Sequence, residues 1–446
     1  MLQRLFFTVN CPTAYCLLFS TFTYSVSDLS STLKDPFAAL RIKDFTVYLS
    51  ARFFLSLGVQ IQSVVVGIQI YKLTHDPYMI GMIGLTEAIP FIGLSLFGGH
   101  IADTVRRKKI LMWSTLFLLI ASWSLFCVAY DADFLKQAGT WPIFGIIFCT
   151  GIARGFISPV FPAYMAQLVP RSLYANAATW QSNSWHTTAV LGPAIGGVLI
   201  GWLSTEFAYG TSSCLITLAF FLMFFITDHP LPVRETTQET IFQRLTAGFR
   251  FVFGNQIMLS ALALDLFAVL FGGAVAMIPV FAAEVLHAGA NADFVTGLLR
   301  SAPAAGAIIM GLVMAKFPPT RRAGRNLIIA VIGFGMCMIA FALSRNVWLS
   351  FGILLLSGMF DNVSVIIRHT ILQLMTPDDM RGRVAAVNGV FIGSSNEIGE
   401  YESGVAARYM GNVPSVIFGG CMTILVVLGV FTFAPKLRKL NLDKLV

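Results

Sequence analysis

The stretch GGHIADTVRRKKI, residues 98–110, places Asp103 and then four consecutive cations, Arg106, Arg107, Lys108 and Lys109, between two long apolar runs. Each run is long enough to cross the roughly 30 Å of a bilayer's hydrocarbon as a helix. A short basic turn between two such runs marks a helical hairpin whose turn stays on the inner side of a membrane.

The same alternation extends along the whole chain. Twelve apolar runs qualify as spans: 45–71, 78–102, 109–130, 142–166, 176–203, 210–228, 257–282, 294–316, 325–344, 348–374, 385–408 and 414–434. They are too long for barrel strands and lack strict alternation, so they are helices. Only 12% of residues are charged, against about 25% in a soluble domain. The expected fold is an all-α polytopic membrane protein. A formal charge of +8 would suggest nucleic acid in a soluble protein, but here the cations sit in the connections. With residue 44 in the cytoplasm, 22 of the 30 Lys and Arg fall on inside segments and four, Lys72, Lys136, Arg345 and Arg408, outside. That asymmetry predicts cytoplasmic termini, and no nucleic-acid partner. Residues 1–43 read as an extension, poorly ordered or surface-lying, because Asn10 and Pro12 interrupt its apolar start. A cytoplasmic linker is expected at 229–256 and a cytoplasmic tail at 435–446.

The chain repeats itself. Pro90, Gly93 and Gly98 recur as Pro303, Gly306 and Gly311, 213 residues on, and each set is followed by an Arg-Arg pair. Gly151 recurs as Gly358 and Pro170 as Pro377, each 207 residues on. Two pseudo-symmetric six-helix halves, 44–228 and 257–434, follow from this, an architecture common among secondary transporters.

On these residues the chain from about 40 to 435 resembles the major facilitator superfamily. Gly99-x-x-x-Asp103-x-x-x-Arg107-Lys108 resembles that superfamily's signature between its second and third helices, with Thr104 and Arg106 where Arg and Gly are usual. The segment DNVSVIIRHTILQLMTPDDMRGRVAAVNGVFIGSSNEIGEYESG, 361–404, resembles the effector-exporter group that includes the enterobactin exporter. The resemblance implies that Gly99 permits close packing and that Asp103 latches the cytoplasmic interface with help from Arg107 and Lys108. Asp103 also reads as a plain loop acid, and the two cations as topology anchors. LGPAIGGVL, 191–199, resembles the end of an exporter motif; Gly192, Gly196 and Gly197 admit a neighbouring helix and Pro193 kinks the span.

Charges within a span cost roughly 2.5 to 3.5 kcal/mol each at mid-membrane and mark pathways or proton relays. Arg52 and Asp265 are 213 apart and Arg154 and Asp361 are 207 apart, so equivalent positions carry opposite charges. The resemblance implies that spans one, four, seven and ten line the central cavity, where these four would face one another. Glu397 and Glu400 are adjacent on a helix, and Arg368 shares a face with Asp361. Asp265, Asp361, Glu397 and Glu400 are the candidates for proton coupling. Arg52, Glu87, Arg154, Arg368, Trp180 and His186 are the candidates for the substrate cavity, while Arg300 and Glu402 read as outer gates. Each charge has a second reading, as a pair that holds helices in register.

The expected function is proton-coupled efflux of a small amphipathic or siderophore-like molecule across the bacterial inner membrane, by a monomer that alternates access. Uptake of a nutrient or siderophore, or a non-transporting sensor on the same fold, are the alternatives. The expected partners are a small-molecule substrate, protons and the lipid bilayer. The chain carries no P-loop, no HExxH and no nucleophile elbow, so ATP-driven and hydrolytic chemistry is not expected. Six dispersed histidines and seven scattered cysteines give no metal or cofactor pattern.

Overall fold

A chain in hydrocarbon must satisfy its backbone within each segment, and a helix does so. The computed structural model describes residues 35–228, 241–317, 319, 321–377 and 380–442. Twelve long helices form the bundle. They are α1 (Lys43–Thr74), α2 (Pro77–Thr104), α3 (Arg107–Tyr130), α4 (Trp141–Leu168), α5 (Tyr174–Trp202), α6 (Thr205–Phe224), α7 (Gln256–Phe271), α8 (Ala292–Lys316), α9 (Ala323–Leu343), α10 (Val347–Met375), α11 (Arg381–Met410) and α12 (Asn412–Phe433). Ten are long and apolar enough to cross a membrane, α7 doing so with its continuation to Val285. The exceptions are α5 and α11, which have 29 and 30 residues but interrupt their apolar character. TWQSNSWHTT occupies 179–188 of α5, and Asn388, Ser394, Ser395, Asn396, Glu397 and Glu400 occupy α11. Each is the fifth helix of its half.

The halves pack alike. In the first, α1 lies on α5 and α6, α3 on α4 and α6, and α2 on α4; the second repeats this six helices later. Two crossings join the halves, α2 with α11 and α5 with α8. The repeated Pro/Gly spacing has a packing cause. A Cβ on Gly151 would lie 2.7 Å from the Pro90 ring, and one on Gly358 would lie 2.6 Å from the Pro303 Cα. In each half a proline-bearing helix therefore presses on the fourth helix at a glycine, where no side chain fits.

α7 breaks at Gly272 and Gly273, and the chain passes a 3-10 turn before a π turn at Phe281–Val285. Gly273 fits the α11 backbone so closely that a Cβ would lie 2.6 Å from the Gly399 carbonyl oxygen. The gap in the helix and the close crossing thus share one cause.

The two ends of the bundle differ. At the end holding Lys72, exposed Tyr130, Trp141, Trp202, Trp348 and Tyr409 form an aromatic belt such as marks a membrane interface. At the other end lie Arg106, Lys109, Arg321 and Arg322. The expected extension is docked where it is described. The Asn176 amide donates to the Pro36 carbonyl at 2.8 Å and accepts from the Ala39 amide at 3.2 Å, and Ala39 is fully buried. The rest of the extension, 1–34, lies outside the described residues, as do 229–240 of the linker and 443–446 of the tail. Within the linker, Ile241–Gly254 is a helix seated on α11, with Gly248 against the Arg383 backbone and Phe249 6.2 Å from the Phe391 ring. The tail buries Leu437 and Leu440 against the start of α9 at Gly324.

Candidate functional site

Three helices bring charge to the crossing of α2 and α11. Arg154 of α4 forms an ion pair with Glu87 of α2, and its guanidinium also reaches Glu397 of α11 at 3.1 Å. Glu87 and Arg154 belong to one half and Glu397 to the other, so this bridge spans the line along which the halves must move. The Phe91 ring sits 5.6 Å from the guanidinium and packs against α11 at Gly393. Glu400, one turn beyond Glu397, rests on α2 at Gly84, where a Cβ would lie 2.8 Å from the Glu400 Cβ. It stands within electrostatic reach of Arg154, Glu87 and Arg300. Arg300 of α8 extends toward α1 at Gly67. The Arg154 side chain is 37% exposed, so the cluster is not fully enclosed.

A second charged pair is built differently. Asp265 of α7 and Arg368 of α10 form an ion pair inside the second half, with side chains only 7% and 2% exposed. Arg52, the counterpart of Asp265, lies 4.9 Å from the Phe161 ring. Phe161 stands 207 residues before Arg368, so the two halves make the same α1–α4 and α7–α10 contact with different chemistry. Gln181 of α5, its amide oxygen turned inward, accepts from Arg52. The four residues expected to face one another therefore do not pair among themselves. Arg52 takes Phe161 and Gln181, Arg154 takes two glutamates, and Asp265 takes Arg368. Asp361 stands near no opposite charge among the described residues.

Trp180 is not at the centre. Its indole donates to the Pro36 carbonyl at 2.9 Å and its ring lies 5.6 Å from Phe37, pinning the segment ahead of α1. His186 lies deeper on α5, edge-on to Trp185 at 5.1 Å, with a buried Nδ1 that has no partner. Of the latch residues, Lys108 donates to the Phe224 and Ile226 carbonyls at 3.3 and 2.5 Å, capping α6 in its own half. Arg107 donates to the Ala163 carbonyl at 2.8 Å. The side chains of Gly99 and Asp103 lie outside the described residues. The small residues of α5 face two neighbours. Gly192 and Gly196 meet α1 at Gln60 and Ile61, and Gly197 meets Gly297 of α8, where a Cβ would be 2.7 Å from the Gly297 Cα. Pro193 is buried beside them.

The end holding Lys72 is tied shut by contacts that sequence reading missed. Tyr71 donates to Glu284 at 2.5 Å, Asn412 donates to the same carboxylate at 2.6 Å, and Lys72 pairs with Asp293 at 2.5 Å. Arg408 approaches Asp76 at 3.8 Å and covers the Tyr78 ring at 4.9 Å. Tyr71 and Glu284 are 213 apart, the repeat offset, so the signal that could have found this contact was present. The same offset relates Glu87 to Arg300, a third charge-reversed pair.

Comparison with known proteins agrees with this architecture. The family described as transmembrane secretion effector matches residues 34–445. The Enterobactin exporter EntS of Salmonella typhimurium is 26% identical over 402 residues, 86% of this chain and 92% of that one. The Shigella flexneri protein of the same name is 25% identical over 346 residues, 76% and 79% of the two chains. A POT family transporter solved with a bound peptide superposes with a TM-score of 0.70 at 12% identity, over 88% of this chain and 96% of that one. The D-xylose-proton symporter gives 0.68 at 14%, over 90% and 99%. These two show the fold alone. The chain belongs to the transmembrane secretion effector family of the major facilitator superfamily, and is a membrane transporter of small molecules.

Proposed function

We propose that the protein exports a small amphipathic, siderophore-like molecule across the bacterial inner membrane in exchange for protons, by alternating access. The Arg106 end faces the cytoplasm with both termini, and the Lys72 end faces out. The observation that carries the reading is the bridge from Arg154 to Glu87 in one half and Glu397 in the other. An ion pair across a moving interface must be released for the halves to part, and protonation of Glu397 releases it. Solvent access to Arg154 brings a partly anionic substrate to the same guanidinium, so substrate and proton act on one bridge. The names of the relatives support the direction and the substrate class. In this reading the described state is closed to the outside through Tyr71–Glu284 and Lys72–Asp293.

The test is proton movement in proteoliposomes with enterobactin and a set of cationic dyes as probes. Wild type moves protons when a transported probe is added, and Glu397→Gln does not. Flux that survives in Glu397→Gln removes the bridge from the mechanism, and the absence of flux with every probe removes the proton-coupled export of this substrate class.

A further inference from the structure

Among the described residues of this site, Glu400 and Arg300 are the charges that the bridge does not use. We propose that Arg300 is the second counter-charge of the coupling site, so that three carboxylates face two guanidiniums and the site takes up a single proton per transport cycle. This rests on the proton-coupled reading above and supplies its stoichiometry.

The groups come from α2, α4, α8 and α11, while α5 and α10, which also pack on α8, carry His186 and Asp361. α2 brings Glu87, α4 brings Arg154, α11 brings Glu397 and Glu400, and α8 brings Arg300. α1 meets Arg300 at Gly67, and α7 meets α11 at Gly399 through the backbone of Val269 and Leu270; neither adds a charge there among the described residues. Asp265 of α7 is neutralised by Arg368. The position of Arg300 is structural as well as electrostatic. It is the repeat counterpart of Glu87, one turn before Pro303 as Glu87 is one turn before Pro90. Both charges therefore stand at the same level on the two helices that make the interhalf crossings. Glu400 rests on α2 at Gly84 and stands within electrostatic reach of both Arg154 and Arg300. An unbalanced charge in a poorly solvated site is costly. With all groups ionised the cluster carries one negative charge in excess, and one proton from solvent, held on the Glu397 and Glu400 carboxylates, balances it. The balanced cluster can be sealed from water while the halves move, and the unbalanced one needs solvent or substrate.

The experiment counts protonated carboxyls. The purified full-length chain in lipid nanodiscs is brought from about pH 8.5 to about pH 6, a window in which ordinary carboxylates stay ionised. The carboxylic C=O band is then read by infrared difference spectroscopy. Counted above a Glu397→Gln/Glu400→Gln baseline, which carries the signal of the unpaired Asp361 and of Glu402, wild type gains one carboxyl. Arg300→Gln leaves three acids on one cation and gains two, while Arg300→Lys keeps the charge and gains one. Glu400→Gln balances the cluster and gains none. The double variant Arg300→Gln/Glu400→Gln has two acids on one cation and regains one. A purely structural Arg300 does not produce that restoration. An Arg300→Gln count equal to wild type overturns the proposal while leaving the coupled-transport reading in place. A wild type with no titrating carboxyl above that baseline overturns both.

Discussion

The Asp265–Arg368 pair and the Arg154 cluster differ in what they connect. Asp265 and Arg368 join α7 to α10 within one half, and water is excluded from both side chains. Arg154 joins Glu87 in its own half to Glu397 in the other and remains partly exposed. Under the alternating access proposed above, the first contact keeps the same partners while the halves move, and the second cannot. Being charged and inside the membrane is therefore a weak indication of coupling. Bridging the two halves is a stronger one, and of these two sites the Arg154 cluster does so.

Breaking one member of each site separates the two. Asp265→Ala or Arg368→Ala leaves a buried charge without its partner and costs about 3–5 kcal/mol. The expected result is a large loss of thermal stability in detergent and of membrane yield. The double variant Asp265→Leu/Arg368→Met recovers stability, because an apolar pair of similar volume replaces the ions, and what is recovered still moves protons. Next in size is the α5–α8 crossing. Gly297→Leu forces a side chain into the contact with Gly197 and Pro193, at about 1–3 kcal/mol of overpacking. A fall in melting temperature, with transport reduced because the closed end no longer closes, is the expected outcome.

Glu397→Gln is smaller in stability and larger in function. Arg154 keeps Glu87 and the new amide is neutral, so no buried charge is left alone and the melting temperature falls less than in Asp265→Ala, while substrate-driven proton flux falls to background. Equal damage to stability from Glu397→Gln and Asp265→Ala would erase the distinction between the sites. The smallest effect is at the closed end. Lys72→Ala removes a half-exposed pair with Asp293 worth about 0.2–1 kcal/mol. Distances between spin labels at Tyr130 and Trp348 then shift toward the open population by about fivefold at most. The cysteine pair Lys72→Cys/Asp293→Cys tests the same contact more sharply, since oxidation stops transport and reduction restores it.

Much of this was legible in the chain, for stated reasons. The spans follow from run length, and the two halves from Pro90 and Pro303, whose glycine partners are packing requirements. α5 and α11 read as spans although they are more polar than the rest, because their polar residues serve the interior of the bundle. Glu397 and Glu400 were visible as an intramembrane pair. The partners were not. Trp180 sits on the same helix as His186 but at its end, where Pro36 and Phe37 capture it. Arg300 read as a gate until α11 placed Glu400 beside it. The linker read as plain connection because a short amphipathic helix between polar flanks gives no span signal, whereas its packing on α11 depends on residues more than 130 positions away.

What the sequence by itself determined was the set of membrane helices, their repeat, and the few positions where a charge is retained against the cost of hydrocarbon. Those depend on local composition and on spacing along one chain. Which charges meet was decided by the tertiary structure alone. Asp265, Glu87 and Glu397 are each an acid within a span, and nothing along the chain says which cation each will meet. The α7–α10 contact seals one within a half, and the α2–α11 crossing sets the other two on either side of a single arginine.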